Sequence, residues 1–251
     1  MKIGIIGNGN HSKRIQSILK KKKLKYIIYK PNKPKYFDIS KLNELNKCKA
    51  LFIISPNDTH FYYLKKFFPK KYIFCEKPPV TNLKDLKKIS KMNNGKVYFN
   101  FNLRFSKIAK ILQNKDIYKM GNLLYANLIL SHGLALKHAY KENWRSNVKK
   151  CPKGIFEIVS IHFIDLINLI FDIKKLGKTN LFNLSKIGTS YDTAHTEMQL
   201  KNKAIANIYV TYKSAYTKKN FFLFDNGLIE QNNGQILVKG PAKNLDKKGF
   251  F

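Results

Sequence analysis

The junction at residues 2–12 narrows the fold more than any other stretch of this chain. Lys2–Ile6 is a short apolar run, and Gly7-Asn8-Gly9-Asn10-His11-Ser12 follows it directly. Beyond that loop, Ile15, Ile18 and Leu19 recur at helical spacing over residues 11–22. An unbroken apolar run closing on glycine is the pattern of a parallel strand buried on both faces. Strand, G-x-G-x-x-S turn and helix in that order read as the phosphate-binding turn of a dinucleotide domain. Gly7 permits the tight turn, and Gly9 lets backbone approach a pyrophosphate at the positive end of the helix. Ser12 is small enough for close helix–strand packing. The glycines alone would equally suit an ordinary turn; the flanking strand and helix favour the nucleotide reading.

The next ninety residues repeat this alternation. Residues 26–29, 50–54, 72–75 and 96–101 read as strands, and 58–68 and 82–92 as helices, with Asp58 and Thr59 as candidate caps. Such alternation predicts an α/β domain with a parallel sheet and helices on both faces. After Arg104 the pattern changes. A helix at 106–113, a strand at 122–130 and a strongly apolar helix at 156–171 lead into strand-and-turn sequence. Its strands fall at 197–200, 204–212, 220–224, 228–230 and 235–238, with Asn226-Gly227 and Asn233-Gly234 as turn signals. The expected architecture is a Rossmann dinucleotide-binding domain, residues 1–102, followed by an α+β domain, 103–251, with a mainly antiparallel sheet. The tail 241–251 shows no clear element.

Composition removes several function classes. The formal charge is +33, yet only Arg14, Arg104 and Arg145 are arginine, so lysine supplies 45 of 48 basic residues. Phosphate and base recognition favours the forked guanidinium, and the lysines are spread over the whole length. A solvated basic surface, from a genome rich in A and T, therefore accounts for the charge better than a specific nucleic-acid site. No apolar run approaches the roughly 20 residues that span a bilayer, and the N-terminus lacks a signal-peptide pattern. Cys48, Cys75 and Cys151 are odd in number and form no CxxC pair, which argues against a disulfide framework or a metal site. The expectation is a cytoplasmic protein with no membrane partner.

Two further segments close strands of the first domain. Ile53-Ile54-Ser55-Pro56-Asn57-Asp58-Thr59-His60 ends the third, and Phe74-Cys75-Glu76-Lys77-Pro78-Pro79 ends the fourth. With the glycine loop they resemble the glucose–fructose oxidoreductase, inositol dehydrogenase and rhizopine-catabolism (Gfo/Idh/MocA) family of NAD(P)-dependent oxidoreductases. That family carries an "aTPn..H" segment and an "EKP" tripeptide at these places. The resemblance continues through Asn100-Phe101-Asn102-Leu103-Arg104-Phe105, Trp144-Arg145 and Gly154…His162-Phe163-Ile164-Asp165. It covers residues 1 to about 240 of a chain shorter than is usual for the family.

The resemblance implies a dehydrogenase or reductase acting on a secondary hydroxyl or keto group of a sugar, cyclitol or nucleotide-linked sugar. It implies cofactor contacts from Gly7, Gly9, Asn10, His11, Ser12, Ser55, Pro56, Asn57 and His60, with Glu76 on the nicotinamide ribose. Lys77 would be the acid/base beside the reacting carbon, and His162 would orient the hydroxyl. Arg104, Trp144 and Arg145 would contact substrate, and the open face of the second sheet would bind another subunit. A lysine at the carboxyl end of a parallel strand does lie where such sheets bind ligands. After the second strand, where an acid usually meets the adenosine ribose, this chain has Lys30. Lysine can pair with a 2′-phosphate, which favours NADP over NAD, although chance placement of a common residue accounts for it as well. One departure matters: Ile158 stands where the family has an aspartate one turn before the histidine. Glu157 is roughly 100° round the helix and cannot simply replace it. A non-catalytic dinucleotide- or sugar-binding sensor is therefore the alternative function.

Overall fold

The structure, a computed structural model, describes residues 2–30, 39–92, 95–114 and 119–240. Residues 31–33 beyond the second strand, and the tail 241–251, lie outside the described residues. The chain forms two compact units, Met1–Asn100 and Phe101–Phe251.

The N-terminal domain is built on five parallel strands: β1 Lys2–Ile6, β2 Lys25–Tyr29, β3 Ala50–Ile53, β4 Tyr72–Cys75 and β5 Val97–Phe99. Their order is β2-β1-β3-β4-β5. The helices between them are α1 Asn10–Lys21, α2 Ile39–Asn46, α3 His60–Phe67 and α4 Leu83–Ser90. The chain leaves β1 in one direction to β2 and returns past it to β3, so the strand order reverses between β1 and β3. The carboxyl ends of the strands at such a reversal open a crevice where ligands bind. β1 illustrates why this sequence makes an interior strand. Ile3 and Ile5 pack with Leu19 of α1 on one face, whereas Ile6 joins Leu45, Leu64 and Phe67 on the other. Each such side chain contributes about 1.5–3 kcal/mol when fully buried.

Polar groups close the ends of the elements. Asn82 Oδ1 accepts from the Asp85 amide at 2.9 Å while its own amide donates to Asp85 Oδ2 at 2.7 Å, capping α4. Lys71 is buried and donates to the carbonyls of Asn46 (2.7 Å) and Cys48 (2.5 Å), so its charge meets the last carbonyls of α2. α3 begins differently from expectation. Asn57–Thr59 is a 3₁₀ turn, and neither Asp58 nor Thr59 caps the helix through its side chain. The Thr59 hydroxyl instead meets the Pro56 carbonyl at 2.7 Å and the Ser55 hydroxyl at 2.6 Å, which folds the turn back on itself.

In the C-terminal domain, α5 Lys107–Gln113 precedes β6 Leu123–Ser131, and α6 Ile161–Phe171 precedes six more strands. These are β7 Ile173–Phe182, β8 Thr193–Leu200, β9 Ile205–Thr211, β10 Thr217–Phe224, β11 Gly227–Asn232 and β12 Gln235–Lys239. The seven form one sheet, ordered β12-β11-β10-β6-β9-β8-β7, antiparallel except where β6 runs parallel to β9. Alternate residues Ala126, Leu128, Ala206, Ile208, Val210 and Phe222 form the core with Ile108, Leu112, Phe163, Leu166 and Ile167 of the helices. The other side of the sheet carries Tyr125, Ile129, Ile205, Tyr209, Phe221 and Leu223, none fully buried. The apolar residues of β9 thus divide between a face buried within the domain and one that is part-exposed. Two elements were not anticipated. Among its described side chains α2 offers Leu42 and Leu45 to the core, and β7 is an exposed edge strand without alternation, bearing Lys174, Lys175 and Lys178. Lysines on an edge strand discourage pairing with another chain. Among the described residues no helix is long and apolar enough to cross a membrane.

The tight turn after β1 gives a test of this packing. Gly7 has φ +114°, and a Cβ there would lie 2.1 Å from the Ile54 carbonyl oxygen, whereas one at Gly9 meets open space. Gly7→Ala should cost at least about 2 kcal/mol, and Gly9→Ala less than about 1 kcal/mol. Urea denaturation followed by circular dichroism separates the two.

Candidate active site

The loops at the carboxyl ends of β1, β3, β4 and β5 bring most of the expected residues of the N-terminal domain together. The Gly7 amide donates to Tyr29 O at 2.9 Å, and the Ile54 amide to Ile6 O at 2.8 Å, so the turn is tied to β2 and β3. The buried Ser12 hydroxyl donates to Gly7 O at 2.9 Å, bracing the first turn of α1 against the loop. Gln16 adds bonds to Asn8 Oδ1 (3.1 Å) and Ser12 Oγ (3.0 Å). Ser12 therefore does more than stay small. Gly9 caps α1 with no side-chain hydrogen bond, and no acidic residue stands in the first turn. The amides of Asn10 and His11 thus form a positive helix terminus with no acidic residue in its own first turn. Open space over Gly9, a braced turn and that terminus fit a pyrophosphate.

Glu76 follows β4 and is the centre of a second group. Its Oε1 accepts from Asn100 Nδ2 at 2.5 Å and lies 2.8 Å from His11 Nε2, and only 15% of its side chain is exposed. The carboxylate thereby links the glycine loop, the end of β4 and the end of β5. Asn100 was read from the sequence only as part of a motif; its place immediately after the fifth strand, equivalent to that of Glu76 after the fourth, was the available signal. Lys77 is the next residue, half-buried, and its bond to Pro78 is cis. Ser55, Pro56 and Asn57 form the turn after β3, with Pro56 exposed. Lys30 is exposed and adjoins Tyr29, whose carbonyl anchors Gly7.

His60 has a different setting from these. It is wholly buried, with Nδ1 2.7 Å from the Pro78 carbonyl oxygen and Nε2 2.9 Å from that of Ser55. Its ring thus lies behind the loops and offers no surface to a ligand. A neutral imidazole has one N–H, and we assign it to the shorter contact with Pro78.

The C-terminal domain holds the remaining candidates in two groups. His162 stands in the first turn of α6, which a π-helical turn at Phe156–Ser160 precedes, so 156–171 is not one uniform helix. Such turns often mark functional sites. The Phe101 ring meets His162 edge-on at 6.3 Å, and Arg104 lies 5.4 Å over the same ring. Arg104 makes a two-pronged pair with Asp165, at 2.8 and 2.5 Å, which commits its guanidinium to holding α6. Ile158 is buried. The Cys151 thiol donates to the Gly154 carbonyl at 3.5 Å and is raised first by burial and then by the nearby Glu157 carboxylate. In the second group Arg145 stacks 4.5 Å over Trp144; burial raises the Tyr212 hydroxyl, and the nearby Arg145 charge acts against it. All three cysteines are buried and outside disulfides, and among the described residues no His, Cys, Asp or Glu cluster could hold a metal.

Comparison with known proteins agrees with this geometry. Residues 1–98 match the sequence model of the Gfo/Idh/MocA family, described as an oxidoreductase family with an NAD-binding Rossmann fold. No curated protein matches the chain. Among solved structures, levoglucosan dehydrogenase in complex with NADH and levoglucosan superposes with a TM-score of 0.77 at 16% identity, over 100% of this chain and 79% of the other. An inositol dehydrogenase homologue from Azotobacter vinelandii complexed with NAD+ gives 0.75 at 15% identity, over 96% and 76%. A putative NADPH-dependent oxidoreductase from Desulfitobacterium hafniense gives 0.75 at 15% identity, over 96% and 82%. These likenesses establish a shared fold.

The buried imidazole predicts an acid sensitivity. Burial lowers the His60 pKa, outweighing the upward pull of the two carbonyls, Glu76 and Asp58. Below about pH 6.5 the unfolded imidazole takes up a proton that the folded one resists, so stability falls as pH drops from there toward the folded value. The urea midpoint should be lower at about pH 5.5 than at about pH 7.5, and the gap narrower in His60→Asn.

Proposed function

We propose that this chain, whose N-terminal domain belongs to the Gfo/Idh/MocA oxidoreductase family, is an NAD(P)-dependent dehydrogenase or reductase of a sugar-like secondary alcohol. The observation that carries the reading is the 2.8 Å approach of His11 to Glu76. It joins the glycine loop to the strand end that Lys77 follows, which supports placing the dinucleotide and the candidate base at the same carboxyl edge of the sheet. The Gly7–Ser12 turn would hold the pyrophosphate, with Ser55, Pro56 and Asn57 along the nicotinamide side and Glu76 accepting from the ribose. The bound dinucleotide would supply the hydride acceptor or donor. As hydride leaves the substrate carbon, the hydroxyl proton passes to Lys77 Nζ; in the reverse direction Lys77 returns it. His162, with Arg104, Trp144 and Arg145, is assigned to the substrate side on the family resemblance. Lys30 favours NADP. Sugars, cyclitols and nucleotide-linked sugars are the substrate class, and the cytoplasm the compartment.

A second reading has one observation behind it. Ile158, which is buried, stands where the family carries an aspartate one turn before the histidine. A sensor that binds dinucleotide without turnover would tolerate this.

Titration of protein fluorescence with NADH and NADPH tests the cofactor assignment. Gly9→Leu should abolish binding, and Lys30→Ala should erase any preference for NADPH. In a screen of sugars and sugar nucleotides by nicotinamide absorbance, Lys77→Ala should lose about 10²–10⁴-fold in turnover while keeping its NAD(P)H affinity. Dinucleotide binding with no turnover on any substrate selects the sensor.

The uncovered face of the second sheet is assigned to a second copy of the chain. Tyr125, Ile129, Ile205, Tyr209, Phe221 and Leu223 share that face across β10, β6 and β9, with Asn127 and Asn207 between them. Sedimentation at micromolar concentration should give an oligomer, and Tyr209→Lys should shift it toward monomer. A monomeric wild type would sink this assignment.

A further inference from the structure

We propose that His60 is a positioning residue for Lys77, acting through the Pro78 carbonyl; the proposal rests on the reading of Lys77 as the acid/base. Three observations converge on it. His60 opens α3, the helix anchored under the sheet by Tyr63, Leu64 and Phe67. Its ring lies against the two loops that follow β3 and β4 at once, with Nδ1–H donating to Pro78 O and Nε2 packed 2.9 Å from Ser55 O. The ring is wholly buried, so neither contact competes with water. Pro78 has no amide hydrogen, and its ring fixes its backbone φ, so its carbonyl is the polar handle by which the rest of the domain can hold the corner after Lys77. The carbonyl has its donor on α3, an element that the core already fixes. The main chain at Lys77 is thereby set by a rigid helix and not by the loop's own conformation. The charged groups that act on the ring are Glu76, beside Lys77 on the β4 end, and Asp58 on the preceding turn.

The two arms of the imidazole can be separated chemically. In asparagine the amide nitrogen is as many bonds from Cα as Nδ1 is in histidine; in glutamine it matches Nε2. His60→Asn therefore keeps a donor at the Nδ1 position toward Pro78, His60→Gln places its donor at the Nε2 position toward Ser55 instead, and His60→Leu has neither. The readout is the acetylation rate of Lys77 in the full chain, resolved by mass spectrometry and normalised to Lys174 and Lys175 of the other domain. It needs no substrate. Glutamine and leucine should change the relative rate by roughly three- to tenfold, the factor that one hydrogen bond corresponds to, and asparagine by less than about twofold. If the leucine variant does not fold, the contrast between asparagine and glutamine decides. An unchanged Lys77 rate in the folded glutamine variant, or equal changes in asparagine and glutamine, overturns the proposal. NADH titration of the wild type runs alongside: absence of binding there sinks the nucleotide reading, whereas normal binding without the His60 dependence sinks only the positioning role.

Discussion

The main chain at Gly7 is the constraint on which the site depends. Its amide is held by Tyr29, its carbonyl receives the Ser12 hydroxyl, and the Ile54 carbonyl occupies the space that a side chain would need. Three elements therefore converge on one residue that must be glycine, at the point where the strand order reverses. Because β2, β1 and β3 are locked there, α1 starts with its amides directed over the carboxyl edge of the sheet. Everything else at that edge is referenced to this turn. Glu76 reaches it through His11, and Asn100 reaches it through Glu76.

Most of this was legible in the sequence because buried parallel strands and glycine turns leave strong local patterns. β1, β3 and β4 are short apolar runs with a change of character at each carboxyl end, and the expected residues stand there. What escaped the reading has a common cause. α2 and β7 are defined by what they pack beside and carry little pattern of their own: two leucines in one, scattered apolar residues among lysines in the other. The π-helical turn before His162 has the same composition as an α-helix, so apolar spacing cannot announce it. The burial of His60 was likewise invisible. A histidine seven residues after a strand end can face a ligand or turn inward, and only the carbonyls of Ser55 and Pro78 decide between them.

Charge plays a smaller part in the architecture than +33 suggests. Lys71 is the exception, since burial makes its two carbonyl bonds structural. Arg104, one of only three arginines, is spent on a forked pair with Asp165, a geometry that lysine could not reproduce. Most other lysines among the described residues are exposed, and on β7 they guard an edge.

The parallel pairing of β6 with β9 has a consequence for biosynthesis. The N-terminal sheet is complete once Phe99 has been made, and its strands join in near-sequential order. The central strand β6 of the second sheet has neighbours only in β9 and β10, which begin at Ile205 and Thr217. A nascent chain can therefore close its first domain early, while β6 waits on the ribosome with both edges unpaired until most of the chain has been translated. Long closure of this kind is slow and exposes apolar strand to other chains. The second domain is where a chaperone, or a lowered growth temperature during expression, would have its effect.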